Sequence, residues 1–156
     1  MKKIRLINIG KTTEVYLKQG LDIYQSRLKH YCDFEMIIIK EGTYNKGSLK
    51  KTLSLEAQRI EEKIRKNSYL IILDETGKSI SSVGLSKKFE EIANSGVSAI
   101  DFVIGGAYGL DQDLKKKANL LLKLGDITYT HQIIRLVMIE QIYRAFTIIK
   151  GESYHH

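Results

Sequence analysis

A chain of 156 residues, 43% hydrophobic and 28% charged, is sized and composed for one folded domain that buries roughly 70% of its unfolded surface, which excludes a disordered chain. Cys32 is the only cysteine, and no segment reaches the ~18 apolar residues of a membrane span or opens like a signal peptide; an intrachain disulfide and a thiolate metal cluster are excluded, and a cytoplasmic protein without a membrane partner is expected. Lys and Arg outnumber Asp and Glu by 25 to 18, a net charge of +7, which favours a polyanionic partner and nucleic acid first, with a lysine-rich surface serving solubility as the alternative.

Residues 3–9 alternate polar and apolar at period two and stop at Gly10, which predicts a strand. Thr12 or Thr13 offers a cap for a helix to about residue 31, with Val15, Leu17, Leu21, Tyr24 and Leu28 at helical spacing. An isoleucine-rich strand is expected over 34–39, then a basic loop over 41–51 containing Lys46, Lys50 and Lys51. A helix over 53–65 leads to an apolar strand over 69–73 and a polar turn over 74–79. Ser81 or Ser82 caps the next helix, which runs to about residue 93 and is closed by Asn94-Ser95-Gly96. A strand over 100–104 runs into Gly105-Gly106-Ala107-Tyr108-Gly109, and Asp111 caps a helix to about residue 119. Residues 120–124 and 127–129 supply another short strand, and Thr130 is placed to cap the final helix. That helix, 131–150, is apolar on nearly every face, so it must be buried on nearly every face, in a core or across a dimer.

Strands alternating with helices predict an α/β fold, a mostly parallel sheet sandwiched by helices, in one domain over 1–156. Ligands in such sheets bind where loops converge at the carboxyl ends of the strands. Three loops stand there, at 73–77, 104–109 and 124–130. A dinucleotide fold needs its glycine triplet after the first strand, yet here that strand ends in a lone Gly10 followed by Lys11. The glycines come late, spaced G-G-x-x-G, without a P-loop lysine.

Gly105-Gly106-x-x-Gly109-Leu110, followed by Thr128-x-x-His131, is similar to the SPOUT superfamily of RNA methyltransferases. The continuation, Arg135, Glu140-Gln141-x-Tyr143-Arg144-Ala145-Phe146 and Gly151-Glu152-x-Tyr154-His155, resembles the branch that methylates N3 of a pseudouridine in large-subunit ribosomal RNA. The match spans essentially the whole chain, including Leu73-Asp74-x-x-Gly77-Lys78. The resemblance implies a trefoil knot at the carboxyl end and S-adenosylmethionine held largely by backbone groups. By position, the cofactor contacts fall on Leu73, Gly105, Gly106, Gly125, Asp126, Ile127, Thr128, Tyr129 and Thr130. It further implies a homodimer packed through the last helix, action on ribosomal RNA in the assembled ribosome, and no metal. This chain has Thr130 where the family has proline before the histidine; the loop is expected to keep its course with less rigidity.

Methyl transfer from a sulfonium is an in-line displacement, so positioning supplies most of the rate, and the imino nitrogen must lose a proton whose pKa lies above neutral. Glu140, Arg144, Tyr154 and His155 are assigned to that catalytic task, with Tyr143 and His131 beside them and His131 held as loop-forming. Glu140 and Arg144 lie i, i+4 on an otherwise apolar helix; a surface ion pair worth a few tenths of a kcal/mol is the alternative. Tyr154 and His155 enter only through the resemblance, and His156 has no assigned role. Lys46, Lys50, Lys51, Arg5 and Lys11 are candidate phosphate contacts. Two other classes stay open, a nucleotide-dependent enzyme on an unknotted α/β fold and a ribosome-binding module without catalysis.

Overall fold

A computed structural model describes residues 3–155; Met1, Lys2 and His156 lie outside them. The elements follow in order as β1 (Lys3–Ile9), α1 (Val15–Leu28), β2 (Asp33–Ile39), α2 (Leu49–Glu61), β3 (Ser68–Ser79), α3 (Ser82–Asn94), β4 (Ala99–Ile104), α4 (Gln112–Lys116), β5 (Leu120–Lys123) and α5 (Ile133–Ile149). All five strands pair in parallel, in the order β2-β1-β4-β3-β5.

The alternation of each strand divides the interior in two. Ile4, Leu6, Ile100, Phe102 and Ile104 face α1, α3 and α5, where Leu21, Phe89, Met138 and Ile142 complete one apolar cluster. Ile7, Ile9 and Val103 face α2 and α4, meeting Ile60 and Leu114 in the other. The parallel sheet sandwiched by helices expected from the alternation is therefore the observed fold. Two of the caps read from sequence form here: the Ser81 hydroxyl accepts from the Gly84 amide, and the Asp111 carboxylate accepts from Asp113 and Leu114.

Some boundaries differ for physical reasons. Thr12 and Thr13 do not cap α1, whose first position follows Glu14 with no side-chain cap. They are used at long range instead, the Thr12 hydroxyl accepting from Arg135 and the Thr13 amide donating to Gln132. Helix α2 spans 49–61 and not 53–65: its first turn has Leu49 exposed beside Lys50 and Lys51, and what it buries is Thr52, bonded to the Thr43 carbonyl, so an apolar stripe does not mark its start. The turn expected at 74–79 lies inside β3: Leu73 and Lys78 both pair with Leu122, so the intervening residues bulge out of a strand that then continues. Gly77 is required there, since a Cβ would stand 2.6 Å from the Leu121 carbonyl. Residues 127–129 form no strand, because β3, the only neighbour of β5, ends opposite Lys123.

Arg5 is not a phosphate contact. Its guanidinium is buried against Asp101, Nε and Nη2 donating to the two carboxylate oxygens at 2.6 and 2.5 Å. The Arg65 amide and the Ser68 hydroxyl donate to the same carboxylate. This pair lies on the α2–α4 side of the sheet, towards the amino ends of β1 and β4. Cys32 is partly buried, and burial, with Asp33 adding, pushes its thiol up to about 12, which leaves it a poor nucleophile.

Candidate active site

A cavity of about 680 Å³ opens at the carboxyl ends of β3, β4 and β5, a size typical of small-molecule sites. Leu73 ends the apolar part of β3 and forms one wall. Gly105 and Gly106 follow β4, and Gly125, Ile127, Thr128, Tyr129 and Thr130 follow β5; all of them line the cavity. The three loops expected to converge do so. Asp126 is the exception among the nine assigned cofactor residues: its side chain is 90% exposed and paired with Lys123 at 2.6 Å, outside the lining.

Small residues are needed on the β4 side. A Cβ on Gly105 would stand 2.8 Å from the Gly109 carbonyl oxygen, and one on Gly106 would stand 3.2 Å from Ile9. The loop closes on itself, the Gly109 amide donating to the Gly106 carbonyl at 3.1 Å with Gly109 at φ 81°, a conformation glycine adopts freely. Main chain therefore forms much of this wall. The charged groups inside are few. Asp74 and Lys115 pair at 2.5 Å, both largely buried. Burial alone would raise the Asp74 pKa, but hydrogen bonds from Lys115 and Thr76 outweigh it and hold the carboxyl below its ordinary value.

The floor is fixed by the start of α5. The Thr130 hydroxyl accepts from the Ile133 amide at 3.1 Å, and the Ile134 amide donates to the Thr130 carbonyl, so Thr130 caps the turn that becomes α5. Arg135, buried and without a carboxylate partner among the described residues, donates to four oxygens. They are the carbonyls of Ile9, Gly10 and His131 and the hydroxyl of Thr12, at 2.6–3.0 Å. Its fork ties the first turn of α5 to the end of β1.

His131 also lines the cavity, and burial first, then the Arg135 cation, lower its pKa, with Glu41 opposing. The folded state thus favours the neutral ring. The stability this contributes is full above the unfolded value near 6.5 and is lost as pH falls below it. Thermal melts at pH 7.5 and 5.5 check this: the wild type is expected to lose more over that interval than His131→Gln, which carries no titrating ring.

Glu140, Arg144, Tyr154 and His155 form a second cluster on α5 and the tail after it. Arg144 Nε and Nη2 donate to Glu140 Oε1 at 3.0 and 2.6 Å, and the Tyr154 hydroxyl donates to the same oxygen at 2.9 Å. Gln141 donates to Glu140 Oε2, and Arg144 lies 4.8 Å over the Tyr154 ring. His155 Nδ1 stands 3.4 Å from Arg144 Nη1, Tyr24 meets the Tyr154 hydroxyl at 3.1 Å, and Tyr143 packs edge-on against Tyr154. The tail is therefore docked and not frayed. Burial first, then hydrogen bonds to Tyr24 and Glu140, raise the Tyr154 pKa, so the phenol stays protonated. The hydrogen bond to Glu140 likewise raises Arg144. None of the four lines the cavity of its own chain.

Reading the sequence did not single out the Asp74–Lys115 pair or give Arg135 a task. An arginine in the most apolar helix of the chain was the available signal for the second; no local pattern joins Asp74 to Lys115.

The family described as predicted SPOUT methyltransferase matches residues 1–155. A ribosomal RNA large subunit methyltransferase H of Streptococcus pyogenes serotype M3, strain MGAS315, is 45% identical over 157 residues, covering 98% of this chain and 99% of the relative. Proteins of the same name from S. pyogenes serotype M3 strain SSI-1 and serotype M12 strain MGAS2096 are also 45% identical, with the same coverage of both chains. With a family match along the whole described length and relatives of this identity, the chain belongs to the SPOUT methyltransferase family.

Proposed function

We propose that this chain is an S-adenosylmethionine-dependent methyltransferase that acts on N3 of a pseudouridine in large-subunit ribosomal RNA, within the assembled ribosome. The observation that carries the proposal is the cavity at 73–75, 104–110 and 122–131, walled by main chain where Gly105 and Gly106 leave no room for side chains. Such a wall suits a cofactor recognised by backbone groups, and the Asp74–Lys115 pair supplies both charge signs for its amino-acid end. When bound, the cofactor supplies an activated methyl group on a sulfonium sulfur. Leu73, Gly105, Gly106, Gly125 and residues 127–130 would hold it, with Asp126 turned away from the lining.

The remaining work falls to the second cluster. Glu140 receives three hydrogen bonds on one oxygen and one on the other, so its carboxylate is committed to anchoring Arg144 and Tyr154. Tyr154, held protonated, donates. Arg144 stabilises the negative charge that develops as the imide loses its N3 proton. His155 has a ring nitrogen with no partner among the described residues, and we assign it as the acceptor of that proton.

The protein acts as a homodimer through α5. Ile134 touches the cavity, whereas Glu140 lies six residues later, about 9 Å along the axis and about 240° round it. One protomer's quartet would thus serve the partner's cavity. The exposed Val15, Tyr16, Ile23 and Ile133 on α1 and α5 supply apolar surface for such packing. A trefoil knot is supported by the path of the chain. It leaves β5 at the sheet edge and returns across the ends of β3 and β4, where their loops project, before Arg135 anchors it at β1. We take the chain to be a single cytoplasmic catalytic domain. The other two readings fit less well: the glycine spacing lacks a nucleotide-binding pattern, and a bare RNA module has no use for so built a cavity.

The test is transfer of radiolabelled methyl groups from S-adenosylmethionine to ribosomes that lack the modification, with free ribosomal RNA and separate subunits for comparison. Label on one pseudouridine, mainly in assembled ribosomes, is expected. Cofactor binding without label would mean a different acceptor. Absence of cofactor binding would overturn the cofactor assignment.

A further inference from the structure

We infer that the loop after β2 and the glycine loop after β4 together form a stacking site for one unpaired nucleobase of the substrate RNA, an inference that rests on the RNA-methyltransferase reading and adds where the RNA is gripped. The rings of Tyr44 and Tyr108 lie 4.2 Å apart, inclined by 36°. Tyr108 stands at the tip of the glycine loop and is 58% exposed, so this pair is no part of either apolar core. Beside it is a hollow of about 290 Å³, lined by the two tyrosines with Asn45, Lys46, Gly47 and Leu49.

Tyr44 is held in place. Its hydroxyl donates to Glu56 Oε2 at 2.7 Å, while Glu56 Oε1 accepts from the Gly42 amide at 2.7 Å. Glu56 is buried, so a carboxylate inside α2 is committed to fixing the loop that carries this ring. The Thr52 hydroxyl adds a bond to the Thr43 carbonyl at 3.0 Å. Around the ring the charge is positive: Lys46, Lys50 and Lys51 are exposed, and none makes an ion pair among the described residues. Rigid aromatic faces beside free ammonium groups are the chemistry that grips single-stranded RNA, the ring taking a base and the lysines its phosphates. Because Tyr108 also borders the larger cavity, a base stacked there would lie at the edge of that cavity. Tyr44 does not border that cavity, so it separates an RNA site from a cofactor wall.

The experiment measures ribosome affinity by co-sedimentation, independently of methyl transfer, and cofactor affinity by calorimetry, for full-length wild type, Tyr44→Ala, Tyr44→Leu and Tyr44→Phe. All three variants remove the hydroxyl from Glu56, so differences among them report the ring. Tyr44→Ala and Tyr44→Leu are expected to bind ribosomes about 5- to 150-fold more weakly than Tyr44→Phe, the span for losing one base–aromatic stack, with cofactor affinity equal across the series. Lys46→Gln should flatten the salt dependence of binding. Leucine matching phenylalanine would overturn the inference, as would a loss of cofactor affinity in place of ribosome affinity. A wild type that binds ribosomes without methylating them would sink the proposed reaction while this series still tests the stack. A wild type that binds no RNA would overturn both.

Discussion

Arg144→Ala is expected to lower the rate of methyl transfer by about 10²- to 10³-fold, the range for removing one group that stabilises developing negative charge. Cofactor affinity should change far less than the rate, because Arg144 does not line the cavity of its own chain and is assigned to the charge that develops on the substrate. The variant deletes the cation that meets Glu140 through two nitrogens and stacks on Tyr154, and it leaves Glu140 with the Tyr154 and Gln141 hydrogen bonds. Single-turnover transfer to ribosomes, alongside calorimetry with S-adenosylmethionine, reads the two effects separately. A variant that transfers methyl groups at the wild-type rate would reduce the Glu140–Arg144 pair to a surface ion pair. Arg144→Lys keeps the charge but loses the fork, so it should recover only part of the rate.

The second large effect is on stability. Asp101→Ala leaves the buried Arg5 guanidinium without its counter-charge and removes the acceptor for the Arg65 amide and the Ser68 hydroxyl. Breaking a buried pair from one side costs about 3–5 kcal/mol. For a chain of this length that lowers the midpoint of thermal unfolding by roughly 6–20 °C. The double variant Arg5→Met with Asp101→Leu replaces both partners by apolar groups and should recover most of the loss. Thermal melts of the three proteins decide it. A double variant as unstable as the single one would mean that packing, and not charge, holds this end of the sheet.

The contrast between these two arginines shows what could be read in advance. The order of strands and helices was legible because β1, β4 and the first half of β3 are apolar runs buried on both faces, and α1 and α3 carry apolar residues at helical spacing. Ser81 and Asp111 were legible as caps because they act on amides two or three residues away. Thr12 and Thr13 misled because their partners, Arg135 and Gln132, lie more than a hundred residues along the chain. The same distance hides the pairing of Arg5 with Asp101, so a buried ion pair looked like a surface cation. At the site, three glycine-bearing loops at one sheet edge were visible from spacing, and eight of the nine cofactor positions named from family resemblance line one cavity. Glu140 and Arg144 also stood out as an i, i+4 pair on an apolar helix, whereas Tyr154 and His155 came from resemblance alone, since nothing local to them says that they fold back onto Glu140 and Arg144.

The arginine fork at the start of α5 also bears on how the protein is made. The carbonyls of Ile9 and Gly10 are synthesised 126 and 125 residues before the guanidinium that satisfies them. Until then the floor of the cavity does not exist and the end of β1 is open to water. Contacts of such sequence separation slow folding, because loop closure must precede any gain from them. A nascent chain would therefore be proteolytically soft around the end of β1 until Arg135 has been made and has closed onto it.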